Sequence, residues 1–428
     1  MKTHKWKASP TLLRFGVVLS ALSTMAMLCI GTATPSPAGA SGSPITIGVV
    51  ADLTGTSAST FADGPAAAQA RVDLQNAQGG VNGHPIKLVV VDDESSQTDV
   101  VTATQDLVSN KGAFAILADS PWLGESTAAA YTLKAGVPVV SANPDGQPFT
   151  EQPYTNLFSW AGVGSPAVYN GLTYTTTVEA QFLKDIGVTK LAGLGYGLSI
   201  SSVDSIKELF AAAKKLGIAQ CYANYSVPFG TVNFSTEALQ IKAAGCNGIA
   251  GSFVDSSDVG LSEAVKNDGI KAKQLYFTGY DSSVTSSPTA AAAFQGAYAL
   301  ASVNFTTPNP ATQAMLAALV KYDPGFKKGE IPDLGAYGSY LAADLMIKGL
   351  QVAGKNPTRA SFIKNLRKVD SYDAGGILPT AVSFRHVGGV AMLPKKPCSY
   401  FMQLQGRSWV VGDKGQAVCG TNLGVSGL

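Results

Sequence analysis

The spacing of apolar and polar positions sorts the chain into short β-branched runs and longer helical stretches. From residue 45 it predicts a strand over 45–51, a helix over 63–77, a strand over 86–91, a helix over 98–109 and a strand over 114–118. A helix over 126–134 and a strand over 137–140 follow. The strands lack polar alternation, as expected of a parallel sheet covered by helices on both faces. A second series starts after Gly162: a helix up to Ile186, then strands over 190–194, 220–226, 248–253 and 274–278 separated by helices over 203–215, 235–244 and 259–267. A third stretch adds a strand over 296–302, helices over 311–322, 335–353 and 358–368, and short strands near Ala381, Tyr400 and Trp409.

Gly and Pro punctuate the joins, as at Gly79-Gly80, Asn143-Pro144-Asp145-Gly146 and Gly375-Gly376. No long linker separates the two α/β series. Short glycine-containing crossings near 160–164, 282–285 and 374–376 therefore suggest that the chain passes several times between two lobes. The expected division joins 41–161 with 284–375 in one lobe and 162–283 with 376–428 in the other.

The first forty residues change the picture of where the protein works. Lys2, Lys5, Lys7 and Arg14 form a basic head, an apolar run covers 16–30, and Ala38-Gly39-Ala40 offers small residues for a signal peptidase. A signal peptide over 1–40 and an exported mature protein, periplasmic or associated with the cell surface, are expected. The alternatives are an uncleaved anchor and lipidation at Cys29, the latter disfavoured by bulky Leu28 at a position that prefers small residues. Removing the segment leaves 27 basic against 29 acidic residues, with no polycationic surface for nucleic acid. About 390 remaining residues exceed one hydrophobic core and agree with two domains.

Of the five cysteines, Cys221, Cys246, Cys398 and Cys419 remain. An even number in an oxidising compartment points to disulfides, and spacing favours Cys221 with Cys246 and Cys398 with Cys419 among three connectivities. A four-thiolate metal site is the alternative, without any C-x-x-C pair to support it.

Three segments in order carry a resemblance: Ile47-Gly48-Val49-Val50-Ala51-Asp52-Leu53-Thr54-Gly55, Asn76-Ala77-Gln78-Gly79-Gly80-Val81-Asn82-Gly83 and Val90-Val91-Asp92-Asp93-Glu94-Ser95. They resemble the opening of the leucine/isoleucine/valine-binding family of type I periplasmic binding proteins, the substrate-binding components of branched-chain amino acid ABC transporters. The resemblance implies an α/β fold of two Rossmann-like three-layer lobes with parallel sheets, joined by a three-crossover hinge. It also implies a monomer whose partners are a small-molecule ligand and a membrane permease, with no cofactor and no nucleic acid. Ligands of open parallel sheets bind beyond the carboxyl ends of the strands, which points to the same inter-lobe cleft.

The resemblance places Phe61 at the cleft, with a hydrophobic staple as the other reading. In the loop after the third strand, Ser120 keeps a hydroxyl and Trp122 supplies a ring and a donor. Asn143 and Asp145 occupy the second segment that holds a carboxylate in the family. A carboxyl at Asp145 would repel a carboxylate ligand unless it points away as a turn residue. From the second lobe, Tyr196, Phe253 and Tyr280 follow strands, and Asp281 fits the family position that pairs with a ligand ammonium, or else caps a helix. Aromatic rings with two acids favour an amine-bearing or cationic solute.

Catalysis finds little support. The mature chain has two histidines, His84 and His386, and no G-x-S-x-G, H-E-x-x-H or P-loop sequence. Gly193 to Gly197 lacks the third glycine of a dinucleotide loop. The expected function is capture of a small molecule, an amino acid or another amine-bearing or polar organic compound, for an ABC importer. A ligand-sensing receptor module and an exported enzyme are the alternatives.

Overall fold

The computed structural model describes residues 42–162, 166–385, 393–412 and 415–426. The expected signal segment with Cys29 lies outside them, as does His386. The first half alternates β1 (Ile45–Ala51), α1 (Ala58–Phe61), α2 (Gly64–Ala77), β2 (Ile86–Asp92), α3 (Asp99–Ser109), β3 (Ala115–Asp119), α4 (Ala128–Lys134), β4 (Val139–Ser141) and β5 (Leu157–Ser159). These five strands make one parallel sheet in the order β2-β1-β3-β4-β5.

Its strands read as unbroken apolar runs because both faces are covered. Ile47, Val49 and Leu117 pack on one side with Ala67, Ala68 and Ala70 of α2. Val50, Ile116 and Val139 pack on the other with Val100, Ala103 and Leu107 of α3. Gly48 in β1 fits this second layer closely: a Cβ there would lie 3.0 Å from both Leu107 and Ile116. Each large aliphatic side chain so buried contributes roughly 1.5–3 kcal/mol.

The second half runs β6 (Ala167–Tyr169), β7 (Leu172–Thr176), α5 (Val178–Asp185), β8 (Lys190–Tyr196), α6 (Ile200–Lys215), β9 (Ala219–Val227), α7 (Ser235–Ala243), β10 (Gly248–Ser252), α8 (Asp255–Asn267), β11 (Lys273–Tyr276), α9 (Ser282–Ser286), α10 (Pro288–Ala293) and β12 (Tyr298–Ala301). Then follow α11 (Pro310–Tyr322), α12 (Leu334–Ala353), α13 (Arg359–Leu366), β13 (Cys398–Gln405), β14 (Ser408–Val411), β15 (Val418–Cys419) and β16 (Asn422–Ser426). The second sheet has the order β14-β13-β12-β11-β10-β8-β9, with β15 beside β13. The strands from β9 to β12 are parallel, and β13 and β14 close the edge antiparallel. Phe182 of α5 stacks on Phe401 of β13, ring centroids 3.8 Å apart, in the layer beneath.

Three features differ from the sequence reading. The stretch before Ile186 is not one helix, since Asn170-Gly171 turns β6 into β7. Both residues adopt positive φ, 50° and 72°, and Tyr169 pairs with Leu172 across the turn. That is the two-residue hairpin loop whose twist matches its strands. The terminal strand β16 pairs with β7 to make a separate three-stranded sheet.

Second, the region 282–285 is helical, and β12 pairs with β11, so residues 298–301 belong to the second sheet rather than to the first lobe. The return to the first half comes after β12, and α12 packs on α2 and on β3 and β4. Third, the strand near Ala381 is a single bridge between Tyr372 and Val382. Arg367 then ties α13 to the edge strand: its Nε donates to the Thr155 carbonyl at 2.9 Å, and its guanidinium lies 4.0 Å from the Phe158 ring centroid.

The four cysteines pair as spacing favoured, Cys221 with Cys246 and Cys398 with Cys419. Both bridges sit on the second sheet, one beside β9 and β10, the other joining β13 to β15 in register. They close segments of 25 and 21 residues, and each is worth about 3 kcal/mol by restricting the unfolded chain. Thermal melts with and without a reductant should show a loss of several degrees on reduction, shared between Cys221→Ser and Cys398→Ser variants.

Candidate functional site

The carboxyl ends of both sheets face a common cavity of about 240 Å³. The first sheet contributes Ser57 and Phe61 from the segment after β1, Pro121 and Trp122 after β3, and Asn143, Pro144 and Asp145 after β4. The second contributes Tyr196 and Ser199 from the end of β8, Phe229 after β9, Phe253 after β10, Phe277 and Thr278 after β11, and Leu300 and Ser302 at β12. Trp160, in the first crossing, and Tyr337 of α12 complete the wall. Parallel strands present their ends, and the loops that leave them, in just this position.

Aromatic rings set the cavity's shape. Trp122 meets Phe229 edge-on at 5.1 Å, Tyr196 meets Phe229 at 5.1 Å, and Tyr196 tilts against Phe253 at 4.7 Å. The Tyr196 hydroxyl donates to Ser257 Oγ at 2.5 Å, which fixes the ring. On the crossing, Trp160 donates from Nε1 to the Ala142 carbonyl at 2.9 Å and meets Tyr337 edge-on at 5.7 Å. Trp122 Nε1 is buried and has no hydrogen-bond partner among the described residues, so it is available as a donor.

Six of the nine residues singled out from sequence therefore meet at the cavity: Phe61, Trp122, Asn143, Asp145, Tyr196 and Phe253. Ser120 is buried beneath it, where its Oγ accepts from the Trp122 backbone N-H at 3.2 Å and shapes the turn that carries the indole. Tyr280 stacks on Tyr337 at 6.1 Å and meets Trp409 edge-on at 6.0 Å, one layer behind the wall. Asp281 is also outside the wall, buried beside the carboxyls of Asp63, Asp255 and Asp333.

Sequence reasoning missed Trp160, Phe229, Tyr337 and Ser302. Phe229 follows a strand and could have been found by the rule used for Tyr196. Tyr337 lies inside a continuous apolar helix, where nothing local marks it.

Acids cluster around this site, and among the described residues its wall has no Lys, Arg or His. Burial pushes the Asp145 carboxyl up to about 7, with Glu125's charge adding to the rise. Beneath the cavity, at the ends of β1, β2 and β3, Asp52, Asp93 and Asp119 are fully buried. Asp119 accepts from Ser339 Oγ at 2.6 Å yet is held well above the ordinary carboxyl range by burial. Burial, then the Asp93 carboxyl, raises Asp52 in the same way. No grouping of His, Cys, Asp and Glu fit to hold a metal occurs among the described residues. His84 is at the surface, its ring nitrogens 2.9 and 3.0 Å from the carbonyls of Ser43 and Lys355.

The chain belongs to the periplasmic binding protein family, whose model matches residues 44–408. No curated protein matches it. Among solved structures it is similar to a leucine-binding protein from Thermotoga maritima, with a TM-score of 0.71 and 13% identity over 87% of this chain and 98% of that one. A branched-chain amino acid ABC transporter protein from Thermus thermophilus with bound valine gives 0.71 and 14%, over 86% and 95%. A solute-binding protein of an ABC transporter from R. palustris in complex with benzoate gives 0.69 and 16%, over 90% and 98%. At these identities the likeness establishes the fold.

The buried acids make stability depend on pH with a definite sign. A carboxyl raised in the folded state favours folding fully below its ordinary value near 3.8, and loses that contribution as pH climbs towards its folded value. The melting temperature of the ligand-free protein should therefore fall between pH 5 and pH 9. Asp52→Asn should flatten this slope and raise the melting point at pH 8.5 by at least about 3 °C, with little change at pH 5.

Proposed function

We propose that this protein is the extracytoplasmic receptor of an ABC importer, capturing a small solute between two lobes and presenting the closed form to a membrane permease. The observation that carries the reading is the cavity itself, walled from both sheets. Its volume is below that of drug-sized sites, which fits a small amino acid or another amine-bearing or polar organic compound.

The lobes are best drawn as residues 42–161 with 302–385, and 166–301 with 393–426, because strand pairing holds 298–301 in the second sheet. Three crossings then form the hinge, and opening needs only a few backbone dihedrals to move. Contacts across the lobes, such as the Asp255 backbone N-H donating to Thr60 Oγ1 at 3.1 Å, belong to the closed form and would break on opening. The cavity wall of rings and hydroxyls offers contacts for a bound solute. Among the described residues no helix is long and apolar enough to cross a membrane, so transport would need a separate permease.

Native mass spectrometry of the protein as purified, followed by small-angle scattering with and without the released solute, tests this reading. Ligand should reduce the radius of gyration; an unchanged radius with saturating solute would reject hinge closure. In calorimetry, Trp122→Phe and Asn143→Ala should each weaken binding about tenfold, the loss of one good hydrogen bond, with the apo melting point within about 2 °C.

A further inference from the structure

The amino end of α6 points at the cleft, yet it is already occupied. Glu125, from the loop after β3 in the first half, reaches across to it. Its Oε1 accepts from the Ser201 backbone N-H at 2.7 Å and from Ser199 Oγ at 3.0 Å. The hydroxyls that could hold an anion there are also engaged. Ser199 Oγ accepts from the Ser202 N-H at 3.1 Å, and Ser201 Oγ accepts from the Gly146 N-H at 2.8 Å. Ser202 Oγ accepts from the Tyr196 N-H at 2.8 Å and donates to the Ser252 carbonyl at 2.5 Å.

A helix amino terminus favours one negative charge, and here the protein supplies it. A ligand carboxylate would have to displace Glu125 or sit beside it. It would also meet Asp145 in the wall, which contains no Lys, Arg or His among the described residues. Like charges a few ångströms apart in a partly dry site repel strongly.

We infer, resting on the solute-capture reading, that Glu125 and Asp145 close the cleft to carboxylates, and that the ligand is a compact, ring-bearing molecule, neutral or cationic, without a free carboxylate. The remaining chemistry of the wall fits such a guest. Trp122 Nε1 offers a donor to a carbonyl or hydroxyl, and the Asp145 carboxyl offers an acceptor to an N-H or ammonium. Trp122, Tyr196, Phe229 and Phe253 present faces and edges to a flat ring, and a cation gains further from them. Glu125 and Asp145 thus act as specificity-determining residues.

The test is competition within matched pairs: benzoate with benzamide, phenylacetate with 2-phenylethylamine, and indole-3-acetate with tryptamine. Protein incubated with the equimolar mixture, desalted and denatured should release the neutral or cationic member at least about tenfold over its acid. Preferential release of the acids would overturn the inference and leave solute capture standing. Release of nothing, by a protein that also carries no small molecule as purified, would remove solute capture and this inference with it. Glu125→Gln, which keeps the helix cap, and Asp145→Asn should each raise the acid-to-partner ratio about tenfold, with circular dichroism melts confirming the fold. Unchanged ratios in both variants would overturn the role of the two residues, whatever the wild type retains.

Discussion

A parallel strand must be covered on both faces, and that requirement builds the cleft. Each of the two large sheets is covered by helices, so their loops emerge at the strand ends. Beyond the carboxyl ends of β1, β3 and β4 the chain brings Phe61, the last residue of α1, Trp122 and Asn143 to Asp145 to the cavity. The second sheet obeys the same constraint. Its turns deliver Tyr196, Phe229 and Phe253 to the same cavity.

Stability and function pull in opposite directions at this junction. Asp52, Asp93 and Asp119 sit fully buried under the cavity floor, and Asp63, Asp255, Asp281 and Asp333 lie together at its side. Burying carboxyls costs free energy that apolar residues of the same size would not. The second sheet carries compensation away from the cleft, in two disulfides and in the Phe182-Phe401 stack. The buried acids are thus concentrated beside the cleft, and both disulfides lie on the second sheet away from it.

How much of this was legible in the sequence follows from which interactions are local. The strands of both sheets were readable because burial on both faces removes every polar position, and β1 was predicted residue for residue. The β6-β7 hairpin was missed although Asn170-Gly171 followed by Leu172 to Thr176 is a local turn-and-strand signal. The expected crossing at 282–285 failed for a different reason. Whether a strand joins the first or the second sheet is decided by pairing between residues far apart, such as Leu275 with Tyr298, and no local pattern encodes it. Six of the nine residues taken from the family resemblance line the cavity, whereas Ser120, Tyr280 and Asp281 are buried outside its wall.

The occupied amino end of α6 shows why a family resemblance carries the location of a site further than its chemistry. Fold and strand ends put a positive helix terminus at the cleft regardless of sequence. Whether that terminus is free for a guest depends on one side chain in the opposite lobe, and here Glu125 takes it. The same carboxylate caps α6, links the lobes in the closed form and raises its neighbour Asp145. A residue outside the cavity wall thus joins Asp145 in bearing on the charge a ligand can carry and also ties the two sides of the cleft together, and neither role could be read from the wall alone.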